Sequence, residues 1–158
     1  MNKIEPEHSI SRTKRLLSIL VGYFGMLEGA HIGLILWAGF RLILTGEIGF
    51  PALPPTGGWP ADVLPWLVGN GALDLLIAFS GIAFAWQYFR RRLQYLRWGI
   101  FSLSSALYSA GIFAFGTIPS GAWEAHPLAY GLLAMAFSPI LPCLFLVWRY
   151  SEFTDSAI

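Results

Sequence analysis

Apolar positions run along this chain in four long blocks, at residues 16–44, 65–88, 98–118 and 127–149, separated by short polar, basic or proline- and glycine-rich stretches. As a helix rising about 1.5 Å per residue, each block is long enough to cross a hydrocarbon core of about 30 Å. The first block, at roughly 43 Å, exceeds that length, so its ends are expected to protrude or tilt. The pattern predicts an all-α, polytopic membrane protein, a four-transmembrane-helix bundle. One membrane domain, residues 16–150, is expected between tails at 1–15 and 151–158.

The stretches between the blocks sharpen this reading. Residues 1–15 are polar and basic, with Lys3, Arg12, Lys14 and Arg15. They resemble the start of a secretory signal, but the apolar block that follows is far longer than a signal core and has no early cleavage site, so it reads as an uncleaved span. Residues 45–64 hold four prolines and four glycines around Trp59, a composition that breaks helices and suits the interface. Such a loop is either a plain connector or a lid or docking element. Trp86, Tyr88, Tyr95, Trp98, Trp148 and Tyr150 gather at the block ends nearest the basic residues, as an aromatic belt does. Residues 78–82 and 136–140 match at four of five positions. Blocks one and three have no counterpart match, so this reads as chance in a biased composition.

Composition agrees with the blocks. The chain is 56% hydrophobic and only 12% charged, with a mean hydropathy of +0.60, against about 25% charged in soluble domains. At 158 residues it leaves no room for a sizeable soluble domain beside four spans. Nine of the ten Lys and Arg residues fall at one end of a four-span layout, which places both termini in the cytoplasm by the positive-inside rule. The same clustering explains the basic residues without nucleic acid. The exception, Arg41, either snorkels to the outer interface or contacts an acidic partner or anionic ligand. Cys143 is the single cysteine, which excludes an intramolecular disulfide and dithiol redox chemistry.

Within these blocks a few polar residues stand out. Glu28 and His31 lie three apart on one face of the first helix, and Asn70 and Asp74 four apart on one face of the second. Running the two helices antiparallel is expected to bring Glu28 and Asp74 to one midplane depth, with His31 and Asn70 a turn further out. A carboxylate at such depth costs about 2.5–3.5 kcal/mol on insertion scales, so it usually faces a partner, a cavity or a ligand. Gly25, Gly29 and Gly33 on the first helix, and Ser102, Ser105, Ser109 and Gly116 on the third, form small-residue stripes suited to helix packing.

The polar cluster supports four readings. It is a structural network, a pocket for a small lipophilic ligand with acid/base capacity, a proton or ion path, or a metal or haem site. The spacing Glu28-x-x-His31 occurs in di-iron bundles, but those need two such motifs, and His126 is placed well above His31. No metal ligand set and no cofactor are assigned.

Four spans with cytoplasmic ends, the pair His31-Ile32, a proline-rich outer loop, Asp74 in the second span and a proline-broken fourth span ending in Arg149-Tyr150 resemble the EXPERA membrane domain. That family includes the emopamil-binding protein. Here Glu28 precedes the histidine, where the family carries an acid shortly after it. The resemblance implies a lipophilic pocket open to the bilayer, with Asp74 as counter-ion to a cationic ligand or intermediate, and isomerase-type chemistry. The expected partners are the lipid bilayer and a small hydrophobic ligand, or else a second copy or a larger membrane complex in which the chain is a non-catalytic subunit or assembly factor. Proton-coupled transport stays open as a further alternative.

Overall fold

The computed structural model describes residues 5–92 and 94–155, and the side chains of 12–92 and 94–150. These residues form α1 (Glu5–Thr45), α2 (Val63–Phe89), α3 (Tyr95–Thr117), α4 (Ala122–Ala125), α5 (Pro127–Phe137) and α6 (Ile140–Asp155). The fold is all-helical, with no strand among the described residues. Four segments, Arg12–Thr45, Val63–Phe89, Tyr95–Thr117 and Pro127–Tyr150, are long and apolar enough to cross a membrane. The chain is an integral membrane four-helix bundle.

The fourth segment is two helices, because Pro139 has no N–H to continue the ladder and its ring collides with the preceding turn. The Met135 carbonyl freed in that way accepts from the Ser138 N–H at 3.3 Å and from Ser138 Oγ at 2.8 Å. A serine that rescues a proline-orphaned carbonyl is what makes such a break tolerable in lipid.

Apolar side chains gain little by leaving lipid for protein, so close approach and packing must hold the helices together. At the basic end they do. A Cβ on Gly25 would stand 2.8 Å from the Ala85 Cβ, and one on Gly99 would stand 2.7 Å from the Phe84 ring and 3.0 Å from Val147. The glycines let α1, α2, α3 and α6 close on a core of Leu17, Val21, Phe24, Phe84, Leu103 and Val147. The opposite end is built differently. There Ile48, Ala52 and Leu67 form a smaller core under the 46–62 loop, backed by Leu42, Trp59 and Phe113.

That loop is fastened to the bundle. Tyr130 Oη donates to the Leu53 carbonyl at 2.6 Å, His126 Nε2 to that of Pro54 at 2.9 Å, and Trp59 Nε1 to that of Ala52 at 3.3 Å. Trp123 stacks on Tyr130 at 5.1 Å between ring centroids, which braces the donor. The loop is therefore a roof over this end of the bundle.

Candidate functional site

Between the tight basal core and the roof lies a cavity of about 850 Å3. Glu28, His31, Asn70 and Asp74 all line it, together with residues of α3, α5 and the roof. Apart from these four and Ser138, its walls are aliphatic, aromatic, glycine or proline.

The local geometry of each polar group follows from its helix. Glu28 and His31 share a face of α1, and His31 Nδ1 lies 3.4 Å from Glu28 Oε2, longer than the usual N–H···O range of about 2.7–3.2 Å. Glu28 is 1% exposed, and its second oxygen, Oε1, has no hydrogen-bond partner among the described residues. The His31 ring sits edge-on to Phe137 of α5 at 5.6 Å. Asp74 is better provided for. Asn70 Nδ2 donates to its Oδ2 at 3.1 Å, and Ser109 Oγ donates to its Oδ1 from α3.

The expected common depth of Glu28 and Asp74 is not what the helices adopt. The Cγ of Glu28 lies 2.7 Å from where a Gly81 Cβ would be, so Glu28 is level with Gly81. Gly81 is seven residues, about 10 Å, from Asp74 along α2. The physical reason is register: the close approach of Gly25 to Ala85 and of Glu28 to Gly81 leaves one way to seat α1 on α2. The cavity therefore carries two polar stations, the Glu28–His31 pair at its inner end and Asn70–Asp74–Ser109 further out.

No family model, curated protein or solved structure matches the chain. The site must be read from its own chemistry.

Other residues singled out in the sequence fall into place around it. Arg41 meets Glu47 at 3.6 Å across the start of the roof, with both side chains well exposed. Gly25 packs on α2, whereas nothing approaches within 4 Å of a Cβ built on Gly29 or Gly33. On α3, Ser102 is buried and bonded to the Gly99 carbonyl at 3.5 Å, Ser105 is half-buried, and Gly116 lies under the Trp66 ring. His126 is engaged by the roof at Pro54 and does not join His31. Among the described residues no three of His, Cys, Asp and Glu converge as a metal site requires.

Sequence reasoning placed Ser109 in a packing stripe and missed it as the partner of Asp74. A signal was present. Asp74 and Ser109 are equally far along the chain from the turn at Arg91 and Arg92, as are Phe84 and Gly99, so a simple α2–α3 hairpin pairs them. Phe137 and the roof residues Ile48 and Ala52 had no such signal, because their approach depends on the break at Pro139 and on the path of the loop.

Proposed function

We propose that this integral membrane protein binds a small lipophilic ligand in the cavity beneath the roof. The observation that carries this reading is the lining of one apolar cavity by Glu28, His31, Asn70 and Asp74. Its volume falls inside the range of about 300–1,000 Å3 common for small-molecule sites. A purely structural network has no need of the empty space, and it would leave no carboxylate oxygen unpartnered. The mouth faces the bilayer: the wall residues Leu36, Phe40, Ile43 and Leu141 are each more than half exposed, and all are apolar.

The Glu28–His31 pair supplies a proton donor and acceptor at the inner end, so acid/base chemistry of isomerase type is available to this site. The EXPERA resemblance points to the same kind of pocket. A path for protons through the bundle fits less well. Phe24, Phe84 and Leu103 are packed below Glu28 and buried, and they close the basal half. By the distribution of Lys and Arg, the basal end and both termini are cytoplasmic and the roof is on the outer side.

A non-catalytic subunit or assembly factor is the second reading. It draws on the outward face of α3, where Tyr108 is 66% exposed near the middle of an apolar helix. A hydroxyl at that depth is better satisfied by a protein partner than by lipid.

The test is native mass spectrometry of the gently purified protein, with identification of whatever travels with it. A stoichiometric lipophilic compound, much reduced in the Glu28→Leu/Asp74→Asn double variant, is the expected result. A protein that arrives bare, or only with another membrane polypeptide, would overturn the binding reading.

A further inference from the structure

The two polar stations of the cavity are not equivalent, and the difference says which group a ligand carries and which way round it enters. This rests on the binding reading above. Both oxygens of Asp74 already accept a hydrogen bond, from Asn70 and from Ser109. Such a carboxylate is held in place by its neighbours and leaves little for a ligand to satisfy. Glu28 is the opposite case. Among the described residues one oxygen has only the long contact to His31 and the other has no partner, in a side chain that is 1% exposed.

A buried carboxylate oxygen without a donor is costly wherever water is excluded, so a donor delivered by a ligand would be strongly favoured there. The shape of the cavity adds a direction. On α1 its lining runs from Glu28 to Ile43, a length of about 22 Å, and it ends against Ile48, Pro51 and Ala52 of the roof. For a volume of about 850 Å3 this is a long, narrow space. Its inner end is closed by the Phe24 ring, which lies beside Gly81 together with Glu28.

We propose that the cavity takes an elongated lipophilic molecule whose one polar end is a hydrogen-bond donor, an amine or a hydroxyl, bound head-first at the Glu28 carboxylate. The apolar body lies along α1 and α2 towards the roof. Asp74 is then a positioning residue that ties α2 to α3 beside the ligand, not its counter-ion. This reverses the role that the EXPERA resemblance implies for Asp74.

The experiment uses the full chain in nanodiscs with three probes of equal length, dodecylamine, dodecanol and dodecane, each read as a one-to-one complex by native mass spectrometry. The wild-type protein is expected to take the amine and the alcohol at least tenfold better than the alkane. The ratio of amine to alcohol then distinguishes a cationic from a neutral donor. Glu28→Leu, which keeps bulk and removes the acceptor, is expected to bind all three alike. Glu28→Gln keeps an acceptor without a charge, so it is expected to retain the alcohol and lose any advantage of the amine; it also serves if the leucine variant does not fold. Asp74→Asn is expected to keep the wild-type order. If Asp74→Asn abolishes the preference while the Glu28 variants keep it, the anchor is Asp74 and this inference falls while the binding reading stands. If wild type takes none of the probes, the binding reading itself fails, and this inference with it.

Discussion

Glu28 and Gly81 interlock: the carboxylate stem of α1 occupies the space that a side chain at position 81 of α2 would fill, 2.7 Å from its Cβ. Adding a methyl group there forces a rearrangement worth about 1–3 kcal/mol, against a gain of about 0.5–1 kcal/mol in helix propensity on replacing glycine with alanine. Gly81→Ala and Gly25→Ala are each expected to lose about 1 kcal/mol of stability on balance. Gly29→Ala, with nothing within 4 Å, is expected to lose none. Unfolding of the three variants in one detergent checks this, and equal stabilities would mean that α1 does not sit on α2 in this register.

The bond from Ser109 to Asp74 joins α3 to α2 in the middle of the bundle. Interhelical hydrogen bonds in membrane proteins average about 0.6 kcal/mol and reach about 1.7 kcal/mol by double-mutant cycles. A cycle of Ser109→Ala with Asp74→Ala, which removes the donor and the acceptor in turn, is expected to give a coupling energy towards the upper part of that range. Additive losses would show that the two side chains act independently.

The roof hangs on Tyr130, whose hydroxyl reaches the Leu53 carbonyl at 2.6 Å. Tyr130→Phe keeps the stacking on Trp123 and removes only that bond. About 1 kcal/mol of stability should be lost, together with faster amide hydrogen exchange over residues 50–56 and little change in α2. Unchanged exchange in the loop would mean that the roof is held by its apolar contacts alone.

Topology is open to a labelling test that the native cysteine does not confuse, since Cys143 is 1% exposed. A membrane-impermeant maleimide applied to intact cells is expected to modify Thr56→Cys in the roof and to leave Gln94→Cys unmodified until the membrane is permeabilised. The reverse pattern would place the basic end outside.

The loss of a single aromatic edge should also be felt. Phe137 meets the His31 ring at 5.6 Å and lines the cavity. Phe137→Ala is expected to weaken binding of the long-chain probes severalfold by widening the inner end, at a stability cost of about 3 kcal/mol or less because the ring is only partly buried. Binding isotherms in nanodiscs measure the first effect and detergent unfolding the second.

The helices, the four spans and the identity of the polar residues were legible in the chain itself. A block of more than about 20 apolar residues has one stable form in lipid, a helix that satisfies its own backbone, so no knowledge of neighbours is needed. Glu28, His31, Asn70 and Asp74 stood out for the same reason, as polar groups where lipid tolerates few. Even the meeting of Asp74 with Ser109 was implicit, since a short turn at residues 91 and 92 fixes which positions of α2 and α3 face each other. The relation between α1 and α2 was not legible. A 17-residue loop from Gly46 to Asp62 leaves their register free by several turns, and it was settled only by how Gly25 fits Ala85 and Glu28 fits Gly81. That tertiary fit separates Glu28 from Asp74 by two turns, and with the break at Pro139 and the roof it encloses the cavity. Spacing along one helix is local geometry, but the depth of one helix against another depends on close packing between surfaces that no single segment contains.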